Sequence, residues 1–199
     1  MPIAASPLFP TLPIIATGLG LLLAALLWMR RGGNERANGW LAVAVGSGAL
    51  AGLALYTDWL LFLVGPCVWL YTCRLTRVNG PYGKRLAVHF FPAVALLLAL
   101  LPFYLRSTPG RVEALPLLAA VQGLFYGWLS LLRLKRHAQA GGSSFRGART
   151  VVAVGLMLGA AWTVSVFSGL DGARQMLALS LPLALYVLGV LALLQPAED

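Results

Sequence analysis

The chain has 199 residues, of which 59% are hydrophobic and only 11% charged, and its 15 basic and 6 acidic residues give a net charge of +9. A soluble domain is about 45–50% apolar and about 25% charged, so the composition excludes an ordinary soluble domain as well as a disordered chain. Two cysteines, Cys67 and Cys73, lie in one apolar run and provide no disulfide framework. With these classes excluded, the predicted fold class is a polytopic all-α membrane protein.

Seven apolar runs, bounded by charges and turn residues, predict a bundle of seven transmembrane helices. In chain order they lie at about 12–29, 39–56, 59–75, 86–105, 114–133, 149–169 and 174–194. A spanning helix needs about 20 apolar residues, and the second and third runs are close to the lower limit, so one span with a re-entrant piece over 39–75 stays open. The chain then divides into a short extracytoplasmic tail (1–11), the transmembrane domain (12–194) and a cytoplasmic tail (195–199).

The basic residues predict the orientation. If the seven runs alternate in direction, all but three of the 15 basic residues fall on one side, and only Arg106, Arg111 and Arg174 fall on the other. Cytoplasmic loops collect Lys and Arg. We therefore expect a multi-pass protein of the bacterial inner membrane with its N-terminus outside and its C-terminus in the cytoplasm.

Motifs of glycine, proline and aromatic residues follow the helix ends. They comprise Arg30-Arg31, the segment Arg36-Ala37-Asn38-Gly39-Trp40-Leu41, the segment Gly65-Pro66-Cys67-Val68-Trp69-Leu70-Tyr71 with Arg74-Leu75-Thr76, Gly80-Pro81, His89-Phe90-Phe91-Pro92, Leu101-Pro102-Phe103-Tyr104, Arg133 to His137 and Ser143-Ser144-Phe145-Arg146. Together they resemble the membrane portion of bacterial regulators in which a seven-helix N-terminal domain precedes a cytoplasmic AraC-type helix-turn-helix domain. The resemblance covers roughly 12–194 and implies a sensor or receptor-like module. Only five residues follow the last predicted helix, so the family's DNA-reading domain is not carried over and we expect no direct contact with nucleic acid.

Polar residues in the outer half of the predicted bundle form a candidate ligand pocket. Gln122 and Tyr126 lie one turn apart on one face of the fifth helix, and polar residues in a span usually face the bundle interior. The full candidate set is Asp58, Gln122, Tyr126, Thr163, Ser165, Ser168 and Asp171. The alternative is that these groups only hydrogen-bond neighbouring helices.

Three residues are candidates for a signalling contact, and five form a cytoplasmic basic face. His89 begins the fourth helix, where it is either a proton-sensitive contact between helices or an interfacial side chain, and Pro66 and Pro92 are either hinges or static kinks. The basic face consists of Arg133, Lys135, Arg136, Arg146 and Arg149. It either sets the topology, docks a cytoplasmic protein or binds anionic lipid.

The sequence shows no constellation for catalysis or for a cofactor. None of the six acidic residues falls within a predicted span, and the histidines and cysteines lack the spacing of metal ligands. We therefore expect a module that is not an enzyme, holds no cofactor, and passes an extracytoplasmic or intramembrane cue to a membrane or cytoplasmic protein. The alternatives are an accessory subunit that binds another membrane protein, or a homodimer of this chain, through small-residue helix faces, and, third, a small lipid-acting enzyme.

Overall fold

The computed structural model describes residues 11–30, 35–51, 60–76, 88–95, 98–99, 114–141, 145–168 and 171–194. Within these residues the chain forms helices and short turns with no strand, which confirms the all-α class. The helices are α1 (Thr11–Met29), α2 (Glu35–Ala51), α3 (Leu61–Leu75), α4 (helical at 88–95 and 98–99), α5 (Ala114–Gln139), α6 (Arg146–Ser168) and α7 (Asp171–Leu194).

The helix ends follow local chemistry rather than hydropathy alone. α5 continues to Gln139, beyond the predicted end at 133, because Leu, Lys, Arg and Ala all favour helix and basic groups are favourable near a helix C-terminus. The chain leaves α5 through Gly141, whose φ of 80° lies in the left-handed region that glycine adopts without steric cost. α2 begins at Glu35, an acidic residue in the first turn, where the helix dipole favours negative charge.

Contacts between helices show that consecutive helices run in opposite directions. α1 and α7 are parallel, because Tyr186 donates a hydrogen bond to the carbonyl of Ala16 near the start of α1, while Arg30 donates to the carbonyl of Ala192 just past the end of α1. Two approaches in each pair show that the neighbours are antiparallel: Thr17–Ala49 and Ala24–Gly46, His89–Tyr126 and Ala93–Ala119, Gly127–Leu156 and Leu124–Gly159, and Gly155–Ala184 and Gly147–Leu191. α3 and α5 are parallel, because Gly65 approaches Tyr126 and Thr76 accepts from Arg133. The described helices therefore alternate up and down from α1 to α7.

Six of the helices pack in a closed ring, and α3 is the one of them in which every residue is buried or half-buried. α1 packs against α2 and α7, α2 against α3, α3 against α5, α5 against α6 and α6 against α7. Trp40 of α2 stacks on Phe90 of α4 at a ring-centroid distance of 5.8 Å, and Ala93 of α4 packs with Phe62 of α3. The buried residues of α3 lie on every face of the helix: Phe62, Gly65, Pro66, Cys67, Leu70, Tyr71, Thr72, Cys73 and Leu75.

Glycines set the distance between several helix pairs. A Cβ added at Gly20 would lie 2.7 Å from the Cβ of Ala49 and would also collide with the hydroxyl of Tyr186. A Cβ at Gly189 would lie 2.8 Å from Leu23. α1, α2 and α7 can therefore pack this closely only because these positions lack a side chain.

Large apolar side chains cover the outside of the described helices. Ile14, Met29, Phe91 and Met157 are each more than 60% exposed, and similar residues occur on α1, α4, α5, α6 and α7. Within the ranges described above, one helical stretch, Leu117–Gln139, is long and apolar enough to cross a membrane, and only 22% of its apolar window is buried. Shorter apolar stretches occur at Ile14–Met29, Leu61–Leu75 and Leu183–Leu194.

Candidate functional site

A partly buried hydrogen-bonded pair links α4 to α5. The Nδ1 atom of His89 lies 2.8 Å from the hydroxyl of Tyr126, and the two rings meet edge to face with centroids 5.6 Å apart. The hydroxyl donates when Nδ1 carries no proton and accepts when it does, so the pair tolerates both tautomers of the neutral ring. The sequence left His89 as either a proton-sensitive contact between helices or an interfacial side chain; in the structure it contacts Tyr126, a member of the candidate ligand pocket.

Gly65 allows Tyr126 to reach this position. A Cβ at Gly65 of α3 would lie 3.1 Å from Cδ2 of Tyr126 and 3.4 Å from the Cα of Gly123. The backbones of α3 and α5 therefore approach closely here, and the tyrosine ring lies over Gly65. Tyr126 is only 8% exposed as a result, although its neighbour Phe125 is exposed on the outer side of α5.

Gln122 lies one turn before Tyr126 on α5, and its side-chain amide is buried without a partner. Both Nε2 and Oε1 lack a hydrogen bond within the part of the chain that the structure describes. Close by along α5 and α4, Ala119 and Ala93 pack with Phe62 in an apolar cluster. A buried amide without a hydrogen bond costs about 1–3 kcal/mol by mutational measurements. The three side chains His89, Tyr126 and Gln122, which we call the polar cluster, thus contain one satisfied pair and one unsatisfied amide.

The other predicted pocket residues do not join the polar cluster where the structure describes them. Thr163 donates its hydroxyl to the carbonyl of Gly159 in its own helix, and α6 packs on α5 through Leu124 and Gly127 rather than through the face of Gln122. Ser130, the next polar residue along α5, likewise donates to the carbonyl of Tyr126. Asp58 lies outside the described residues, as do the side chains of Ser165, Ser168 and Asp171.

The two candidate hinge prolines fall inside described helices. Pro66 is fully buried within α3, and its missing N–H leaves one bond of the first two turns unmade. Pro92 is half-buried in α4, three residues after His89. Both prolines therefore weaken the backbone bonding of the two helices that meet α5 at the polar cluster.

A second interaction joins α5 to the C-terminal end of α3. The Nε–H of Arg133 donates to Oγ1 of Thr76 at 3.1 Å, and the hydroxyl of Thr76 donates in turn to the carbonyl of Thr72 at 2.9 Å. The guanidinium of Arg133 also lies over the ring of Trp69, with its central carbon 5.3 Å from the ring centroid. We call this arrangement the arginine clamp. The sequence identified Arg133 only as a basic residue at a helix end, because its partners are 57 and 64 positions away.

The remaining members of the predicted basic face lie near the loop between α5 and α6. Lys135, Arg136 and Arg146 are exposed and Arg149 is half-buried. His137 stacks on Phe145 with ring centroids 5.8 Å apart, and Phe145 has a φ of 34°, in the left-handed region that residues with a side chain rarely adopt. The stacking and the partial burial of Phe145 in the core hold the start of α6 against the end of α5.

The described residues contain no group of three or more His, Cys, Asp or Glu side chains that could hold a metal ion. Comparison with protein-family profiles, with curated proteins and with solved structures finds no match to this chain. The fold and the two interhelical sites, the polar cluster and the arginine clamp, therefore define the class as an all-α protein with an apolar exterior and polar groups at helix contacts.

Proposed function

We propose that the chain is a multi-pass membrane protein with seven transmembrane helices. The alternating helix directions, the exposed apolar residues and the weak burial of the Leu117–Gln139 window support this proposal. A core helix of a soluble protein would bury most of such a window. The parallel arrangement of α1 and α7 agrees with an odd number of spans, and the excess of basic residues at one end favours the bacterial inner membrane with the C-terminus in the cytoplasm.

Its function in this proposal is to sense an extracytoplasmic or intramembrane cue and pass it to a cytoplasmic partner. The observation that carries the proposal is the unsatisfied amide of Gln122, one helical turn before the tyrosine of the His89–Tyr126 pair. Polar groups inside a membrane bundle are costly, so they mark sites where a ligand or an alternative packing makes the missing bonds. A cue can shift a conformational equilibrium only when it interacts differently with the two states, and an amide satisfied in one state provides such a difference.

Helix α5 provides the route from the polar cluster to the basic face. Arg133 lies seven residues after Tyr126 on the same helix, a rise of about 10 Å at 1.5 Å per residue. A rotation of α5 that improves the bonding of Gln122 also moves Arg133 relative to Thr76 and Trp69. The resemblance to the membrane portion of AraC-type regulators agrees with this direction of signalling.

An accessory subunit or a homodimer that binds through small-residue faces is less well supported. Gly48, Gly127 and Gly159, which have the spacing for close helix approach, are already contacted by Leu185, Leu156 and Leu124 of the same chain. These three glycines are therefore used for packing within the chain, whereas a Cβ added at Gly123, one turn before Gly127, would meet nothing within 4 Å.

Site-specific photo-crosslinking in cells tests this function. A photoreactive amino acid at Lys135 or Arg146 probes the basic face, and one at Leu118 or Val121 probes the exposed apolar face of α5. We expect a protein adduct from the basic face whose yield changes in a Gln122→Leu background, and lipid adducts alone from the apolar face. A stoichiometric membrane protein captured at Leu118 or Val121, with no adduct from the basic face, would establish the accessory role instead.

A further inference from the structure

The guanidinium of Arg133 is held in place while most of its donors stay unused. Arginine has five N–H donors, and the hydrogen bond from Nε to Thr76 uses one of them. The hydroxyl of Thr76 is itself committed to Thr72, so the oxygen can only accept from Arg133. Among the residues that the structure describes, no carboxylate and no second acceptor contacts this guanidinium. The clamp thus presents a positioned cation for which the described residues supply no counter-anion.

The surface next to the clamp matches a lipid in its order of chemistry, with an apolar part followed by a cationic end. An apolar stripe runs along the outside of α5 through Leu118, Val121, Phe125 and Trp128, which are 53%, 53%, 57% and 54% exposed. The exposed residue Arg136 continues the same face of the helix two turns after Trp128. Arg133 lies one turn before Arg136, on the side of α5 that faces α3. The apolar stripe therefore ends at two cationic side chains.

We propose that an anionic phospholipid binds here, with its phosphodiester between Arg133 and Arg136 and an acyl chain along the apolar stripe. Trp69 fits this placement, because tryptophan is enriched at the level of lipid headgroups. The planar guanidinium matches two phosphate oxygens with parallel N–H donors, and an ammonium group does not have this geometry. The inference rests on the membrane placement proposed above but not on the nature of the cue.

The test measures lipid selectivity of the full-length protein. Delipidated protein in neutral detergent is titrated with phosphatidylglycerol and with phosphatidylcholine, and bound lipid is counted by native mass spectrometry. We expect a preference for phosphatidylglycerol that falls about fivefold or more in Arg133→Gln, since each basic residue near an anionic surface contributes about 1 kcal/mol. Arg133→Lys keeps the charge but loses the planar fork, and we expect an intermediate loss.

Arg146→Gln is the matched control, because it removes one exposed positive charge from the same end of the molecule at the start of α6. An equal loss of selectivity in Arg146→Gln and Arg133→Gln would overturn the site, since it would reflect bulk charge alone. Inorganic phosphate that displaces phosphatidylglycerol at millimolar concentration would overturn the assignment to a lipid.

Folding and membrane insertion are scored separately from lipid selectivity. A wild-type protein that is extracted only by detergent and yet binds both lipids equally would overturn the lipid site while leaving the membrane proposal intact. A protein that is soluble without detergent would instead refute the membrane placement itself. If Arg133→Gln fails to fold, the Arg133→Lys variant carries the test, and unchanged selectivity in that variant would refute the role of the guanidinium fork.

Discussion

Replacing Gln122 with an apolar residue of similar size is expected to stabilise the protein. Its amide nitrogen and oxygen each expose less than 1 Å² and have no hydrogen-bond partner among the described residues. Removing a buried unsatisfied amide recovers about 1–3 kcal/mol by general mutational measurements. In membrane proteins the effect is smaller: hydrogen bonds between membrane helices average about 0.6 kcal/mol, because the unfolded state in the membrane also finds partners. We therefore expect Gln122→Met to raise the free energy of unfolding by about 1 kcal/mol, at the low end of that range.

The assay is equilibrium unfolding of purified protein in mixed micelles or bicelles, followed by far-UV circular dichroism. For a chain of this length a gain of 1 kcal/mol corresponds to a rise in melting temperature of about 2–4 °C. Tyr126→Phe is the paired variant: it removes a hydrogen bond that is made and leaves Nδ1 of His89 unsatisfied, so it should lower stability. A Gln122→Met variant that loses 1 kcal/mol or more would refute the reasoning, because it would mean that the amide has a partner in the native state.

Three further predictions concern packing, the clamp and topology. Gly20→Ala should destabilise the protein by about 1–3 kcal/mol because the added Cβ collides with Tyr186. Gly18→Ala should be neutral or slightly stabilising, because a Cβ there meets nothing within 4 Å. Equal effects of the two variants in thermal unfolding would argue against the close packing of α1 and α7. Thr76→Val should cost about 1 kcal/mol and, like loss of Arg133, reduce phosphatidylglycerol selectivity, whereas unchanged selectivity would remove Thr76 from the clamp. A C-terminal fusion to alkaline phosphatase should be inactive and a fusion to green fluorescent protein should fluoresce; active phosphatase would reverse the proposed orientation.

Hydropathy predicted where most helices lie, since six of the seven runs overlap α1, α2, α3, α5, α6 and α7. It erred at charged ends: α5 extends to Gln139 and α6 begins at Arg146. Hydropathy measures transfer into lipid, whereas a helix continues for as long as its residues tolerate the backbone geometry. The predicted run at 86–105 coincides with helical residues at 88–95 and 98–99, and its other residues lie outside the described ranges.

The candidate site was predicted only in part. The spacing of Gln122 and Tyr126 placed them on one face of a helix, and the structure adds His89 from 37 positions away. That partner depends on which helices pack together, which periodicity within one helix does not report. Gly65 was the sequence signal for this packing, because a glycine in an apolar helix often marks a close approach of another helix. Thr163, by contrast, bonds within its own helix, which its sequence position did not distinguish from a pocket role.

The burial of α3 on every face has a consequence for tolerance to mutation. Residues on the outside of α1, such as Leu22 and Leu26, are exposed, and in the proposed membrane they would meet fluid hydrocarbon that accommodates any apolar shape. Cys67 and Leu70 of α3 are buried inside the protein, so a changed volume at either position must be absorbed by close-packed neighbouring side chains. A saturation-mutagenesis map should therefore show a helical stripe of constraint on α1 but more continuous constraint along α3, whose buried residues lie on every side of the helix.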